Sequence, residues 1–117
     1  MNISITPLIE LKNIVGDSFT NLINDLLAEL DKDVKALPEI VGSEVNSDNI
    51  KAVALHAHQL KGSLGSLGAL DLTREVNKLE LAAKDQSIEK CNSIFNSIAE
   101  PLSRVVDDVK NACAKLP

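Results

Sequence analysis

A chain of 117 residues with 44% hydrophobic content is about one domain long, residues 1–117, and can bury a modest core. Aromatic residues make up only 2%, with no Trp or Tyr, so the core has to be built from Leu, Ile, Val and Ala, which suits packed helices better than a sheet sandwich. A net charge of −5 works against a nucleic-acid backbone as partner; the lack of any apolar run near ~20 residues and of a signal-peptide pattern in MNISITPLIE leaves the cytoplasm as the expected location, with no membrane contact.

Thr6-Pro7 reads as a cap followed by a first-turn proline, with Leu8, Ile9 and Leu11 behind it and Gly16 placed to stop a short first helix. From Asp17, apolar residues recur at three and four (Phe19, Leu22, Ile23, Leu26, Leu27, Leu30, Val34, Leu37), which predicts a second helix ending at Pro38. The stretch PEIVGSEVNSDN reads as a surface connection in which Asn46 or Ser47 caps a third helix beginning near Asp48. That helix carries the stripe Ile50, Val53, Ala57, Leu60, Leu64, Leu67; Gly68 then breaks the pattern, and Ala69, Leu72, Val76, Leu79 and Ala83 predict a fourth helix antiparallel to it. A fifth helix is predicted from Ser87 to about Lys115 on Ile88, Cys91, Ile94, Ile98, Leu102, Val105, Val109 and Ala112, with a kink expected at Pro101. The expected fold is all-α: an antiparallel four-helix bundle of the second to fifth helices, with the first laid over one end. Cys91 and Cys113 stand 22 residues apart on one helix, roughly 33 Å at ~1.5 Å per residue, so they cannot pair and read as small core residues.

His58 points roughly 130° away from the apolar stripe of its helix, toward solvent. Lys61 and Gly62 follow it on the same face at three and four residues, and Ala54 and Gly65 flank it at the adjoining turns. A glycine inside a helix costs ~1 kcal/mol relative to alanine, so Gly62 and Gly65 ask for a compensating reason. Two stay open from spacing alone: tight packing of the third and fourth helices, or close approach of another molecule. His56 points ~200° from His58, so the two cannot share a metal, and no C-x-x-C or H-E-x-x-H set exists to complete a site. Gly62-x-x-Gly65-x-x-Gly68 has neither the pattern nor the preceding strand of a phosphate-binding loop. No metal and no cofactor are expected.

The run His58-Gln59-Leu60-Lys61-Gly62-Ser63-Leu64-Gly65-Ser66-Leu67-Gly68-Ala69 resembles the signature H-x-L-K-G-S-x-x-x-L-G-A of histidine phosphotransfer (Hpt) domains, and Leu79-Glu80 stands where that family has its L-E or L-Q pair. The resemblance implies that His58 is the phosphorylated residue, that Lys61 and Gly62 are its phosphate-side neighbours, and that Glu80 orients the imidazole. It also implies a carrier, not an independent enzyme, that takes a phosphoryl group from one receiver-domain aspartate and passes it to another. The implied partners are the receiver domains of response regulators and of a hybrid sensor kinase. Ala54, Leu55, Gln59, Gly65 and, from the first helix, Leu8 are the expected partner-facing residues. The chemistry agrees, since an imidazole nucleophile needs one free nitrogen facing the donor and a group that fixes the other. The competing partner of Glu80 is Lys84, four residues on. A docking bundle that transfers nothing, and an excised domain of a hybrid sensor kinase, are the rival readings. A Met at the start and a Pro at the end favour a separate protein, and a complete four-helix core favours a monomer.

Overall fold

The computed structural model describes residues 2–117 and contains helices α1 (Thr6–Val15), α2 (Phe19–Val41), α3 (Ile50–Ser66), α4 (Leu70–Lys84) and α5 (Ile88–Ala114), with a 3-10 turn at Gly16–Ser18. α2, α3, α4 and α5 form the antiparallel bundle. α3 and α4 share the most extensive contact, α2 packs on α3, α5 packs on α4, and α2 against α5 closes the ring. The result is a rod of 46 × 21 × 20 Å. Every stripe position named for α3 and α4 is buried, from Ile50 and Val53 through Leu67, and from Ala69 through Ala83. The three-four spacing sets one face of each helix inward, and burying a leucine or valine there is worth roughly 1.5–3 kcal/mol.

α1 lies over the end of the bundle where α3 turns into α4. The chain just ahead of it is tied there by the Ser4 amide donating to the Gly68 carbonyl at 2.8 Å. Gly68 has φ +83°, and a Cβ on it would run into the Ser4 carbonyl oxygen, so this turn requires glycine. Leu8 seats α1 with 0% of its surface exposed.

Several boundaries differ from the expectations. Ile5, not Thr6, is the residue before α1; Thr6 and Pro7 both lie in the first turn, where a missing proline N–H costs nothing. Asp17 belongs to the 3-10 turn, and α2 starts at Phe19. Pro38 does not end α2, which runs one turn further to Val41. Its ring sits on the exposed side, Val41 is buried at 3%, and the Asn49 amide donates to the Ile40, Val41 and Glu44 carbonyls at 3.2, 3.1 and 3.0 Å. That burial and those bonds offset the one helical bond Pro38 removes. Asn46 organises the entry to α3 by accepting from the Asp48 and Asn49 amides, while Ser47 forms no such cap. In α5, Ile88 is 39% exposed and outside the core, whereas Cys91, Ile98, Leu102, Val105 and Val109 are buried. α5 runs as a single helix through Pro101. Cys91 and Cys113 are both free thiols, pushed up in pKa by burial.

Candidate functional site

α3 presents His58 on the outer face beside α4, with 63% of its side chain exposed. Its Nδ1 lies 2.9 Å from Glu80 Oε2, which leaves Nε2 as the ring nitrogen free to meet another molecule. Glu80 comes from α4, between buried Leu79 and the buried pair Ala82 and Ala83, and is the single buried charged residue among those described, at 1% exposure. The rigid α3–α4 packing therefore fixes the carboxylate, and the carboxylate fixes the ring.

Three cationic or donor groups converge on Glu80. Lys61 Nζ lies 2.6 Å from Oε1, Lys84 Nζ lies 2.8 Å from Oε2, and His58 shares Oε2 with Lys84. Lys61 Nζ also donates to Asn77 Oδ1 at 3.0 Å. Oε1 accepts no hydrogen bond of regular geometry and is neutralised by the Lys61 charge. Burial would push the Glu80 carboxyl up, but the contacts with Lys61, Lys84 and His58 outweigh it and hold the group down at about 2. Lys84 is thus an additional partner of Glu80, not an alternative to His58.

The two glycines resolve differently. A Cβ on Gly65 would meet Thr73 of α4 at 3.7–3.8 Å, an ordinary contact, so Gly65 faces α4 without packing requiring a glycine there; a Cβ on Gly62 would meet nothing within 4 Å. No neighbour inside the protein explains Gly62, one turn from His58. Its carbonyl is occupied by the Ser66 hydroxyl at 3.0 Å.

Leu55 is 57% exposed on the His58 face, Ala54 is half-buried, and Gln59 is exposed beside a shallow groove that Glu29, Lys32, Asp33, His56 and Ser63 line between α2 and α3. Leu8 overturns its expectation: it is wholly buried as the anchor of α1 and cannot meet a partner, while Ile5 and Ile14 are the exposed apolar residues at and along that helix, 48% and 81%. The sequence offers Lys84 only as a rival partner of Glu80, through its i+4 relation, whereas Asn77, one polar residue on a polar face, carries no signal at all. Among the described residues no group of three or more His, Cys, Asp or Glu is arranged to hold a metal ion, and no helix is long and apolar enough to cross a membrane.

The family model of the Hpt domain matches residues 21–113, most of α2 and all of α3, α4 and nearly all of α5, and the chain belongs to that family. Hpt domains are the phosphocarriers of two-component phosphorelays and work with receiver domains. α1 lies outside the matched range. Searches of curated proteins and of solved structures returned no match.

Proposed function

We propose that this chain is a phosphorelay intermediate in which His58 accepts a phosphoryl group from a receiver-domain aspartate and hands it to the aspartate of a second receiver. The observation that carries the reading is the exposed His58 ring held at Nδ1 by a buried carboxylate. With Nδ1–H donated to Glu80, the Nε2 lone pair attacks phosphorus; the P–N bond forms, the P–O bond to the aspartate breaks, and the aspartate leaves as carboxylate with that electron pair. Nδ1 keeps its proton, so the phosphorylated ring carries positive charge facing Glu80. The reverse sequence delivers the group to the next aspartate.

Lys61 supplies positive charge to the phosphoryl oxygens, which are negative in both the ground state and the loose transition state. It reaches them by leaving Glu80 and Asn77. Gly62 leaves room for the receiver, and Leu55, Ala54 and Gln59 form the surrounding contact surface, with Gly65 behind them. The receivers of response regulators and of a hybrid sensor kinase are the partners. The chain works as one domain, on the support of one continuous core joining all five helices, and in this reading it is a cytoplasmic monomer that carries phosphate without catalysis of its own. The test is incubation of wild type and His58→Gln with a radiolabelled phosphorylated receiver. Acid-labile, base-stable label on the wild type alone is the expected result; no label from several competent receivers would leave a docking bundle as the better reading.

A further inference from the structure

Glu80 poses a problem for the chemistry it supports. A buried carboxylate whose sole partner is an imidazole favours the imidazolium, and an imidazolium has no lone pair left on Nε2 with which to attack phosphorus. Orientation of the ring and availability of its lone pair therefore pull against each other. Lys61 eases the conflict while it rests on Oε1, but Lys61 is also the cation that turns to the incoming phosphoryl group. Lys84 has no such second task. Its Nζ sits 2.8 Å from the very oxygen that His58 uses, so the ammonium and the ring nitrogen are no more than about 6 Å apart, close enough for like charges to oppose one another.

We propose that Lys84 is a positioning residue that occupies Glu80 Oε2 alongside His58, so that the carboxylate orients the ring without drawing a second proton onto Nε2. This rests on His58 being the phosphoacceptor. Other charged groups do not replace it. On α3, His56 points away; on α4, Lys78 pairs with Glu75 and Arg74 with Asp71; on α2, Glu29, Lys32 and Asp33 face His56, Gln59 and Ser63. α5 packs on α4 and α2. Among the described residues, Glu80 is the sole carboxylate within 4 Å of a His58 ring nitrogen.

The experiment compares wild type, Lys84→Met and Lys84→Arg, using phosphoramidate as a small donor so that receiver docking does not enter, from about pH 5.5 to 9 across the range where an imidazole titrates. Lys84→Met is expected to fall roughly three- to tenfold behind wild type near pH 6 and to converge with it at the alkaline end. Lys84→Arg is expected to restore the wild-type profile, and the ring-nitrogen NMR signals of His58 in Lys84→Met are expected to keep the doubly protonated form to higher pH. A constant ratio of Lys84→Met to wild type at all pH values, or unchanged ring-nitrogen signals, would overturn the role of Lys84 alone. A wild type that takes no label at any pH would overturn the phosphoacceptor reading and this inference with it.

Discussion

Gly62 separates the demands of folding from those of function, because the structure predicts that its replacement has opposite effects on the two. It lies inside α3, where glycine costs ~1 kcal/mol relative to alanine through backbone entropy. A Cβ there meets nothing within 4 Å, so Gly62→Ala introduces no clash to cancel that gain. The variant is expected to be more stable by roughly 0.5–1 kcal/mol, raising the thermal midpoint by roughly 2–4 °C for a domain of this size. The same methyl group stands one turn from His58, on the face that the proposed transfer would bring against a receiver. An added methyl at a close-packed contact costs roughly 1–3 kcal/mol, so transfer from a phosphorylated receiver is expected to slow roughly tenfold or more, and Gly62→Leu more still. Thermal unfolding by circular dichroism, paired with timed transfer of label, reads both effects on the same samples. A Gly62→Ala protein that is less stable, or that accepts label from the receiver at the wild-type rate, would refute the reasoning.

Glu80→Gln removes a carboxyl held at about 2 against its ordinary 4.5; because the folded value is the lower one, the stability it contributes is complete above about pH 5 and is lost as pH falls toward 2. Urea midpoints are expected to show the variant less stable by up to about 3 kcal/mol near neutrality, with the gap closing in acid; a gap independent of pH would contradict this. Asn49→Ala leaves three carbonyls at the end of α2 and the loop after it without their amide donor, and equilibrium unfolding is expected to register a loss of about 1–3 kcal/mol. Leu55→Asp is expected to weaken receiver binding by calorimetry while leaving stability within about 0.5 kcal/mol, since the side chain is largely solvated in the free protein.

Periodicity carried the fold. The stripes of α3 and α4 were readable residue by residue because each helix has one neighbour-facing side and a polar remainder, and Gly68 marked the turn between them. What failed were inferences from single residues. Pro38 reads locally as a stop because proline removes a bond, yet whether a helix ends depends on what lies beyond it, and Val41 and Asn49, which hold the last turn, are tertiary partners that no local pattern displays. Leu8 taken alone reads as partner-facing, although a short helix over the bundle end has to bury something to stay there. At the site, His58, Lys61 and Glu80 do come together, which the family signature implied and spacing alone could not. Spacing left Gly62 and Gly65 equivalent; only the contacts of α4 distinguish them.

The Glu80 cluster is best understood by contrast with the other ion pairs. Asp31 with Lys35, Asp71 with Arg74, Glu75 with Lys78 and Glu100 with Arg104 are neighbours three or four apart on one helix with solvated charges, which water and salt screen. They could change sign or vanish with little consequence. Glu80 is different in kind: it is buried, it joins α3 to α4, and its desolvation has to be offset by Lys61, Lys84 and His58 together. Buried ion clusters seldom stabilise a fold more than an apolar side chain of similar volume would, so packing alone gives no reason for a carboxylate at this position. A reason exists only if the ring it holds must be both fixed in direction and left with a free lone pair, and the bundle core supplies the rigid, water-poor wall against which two lysines can balance one carboxylate for that purpose.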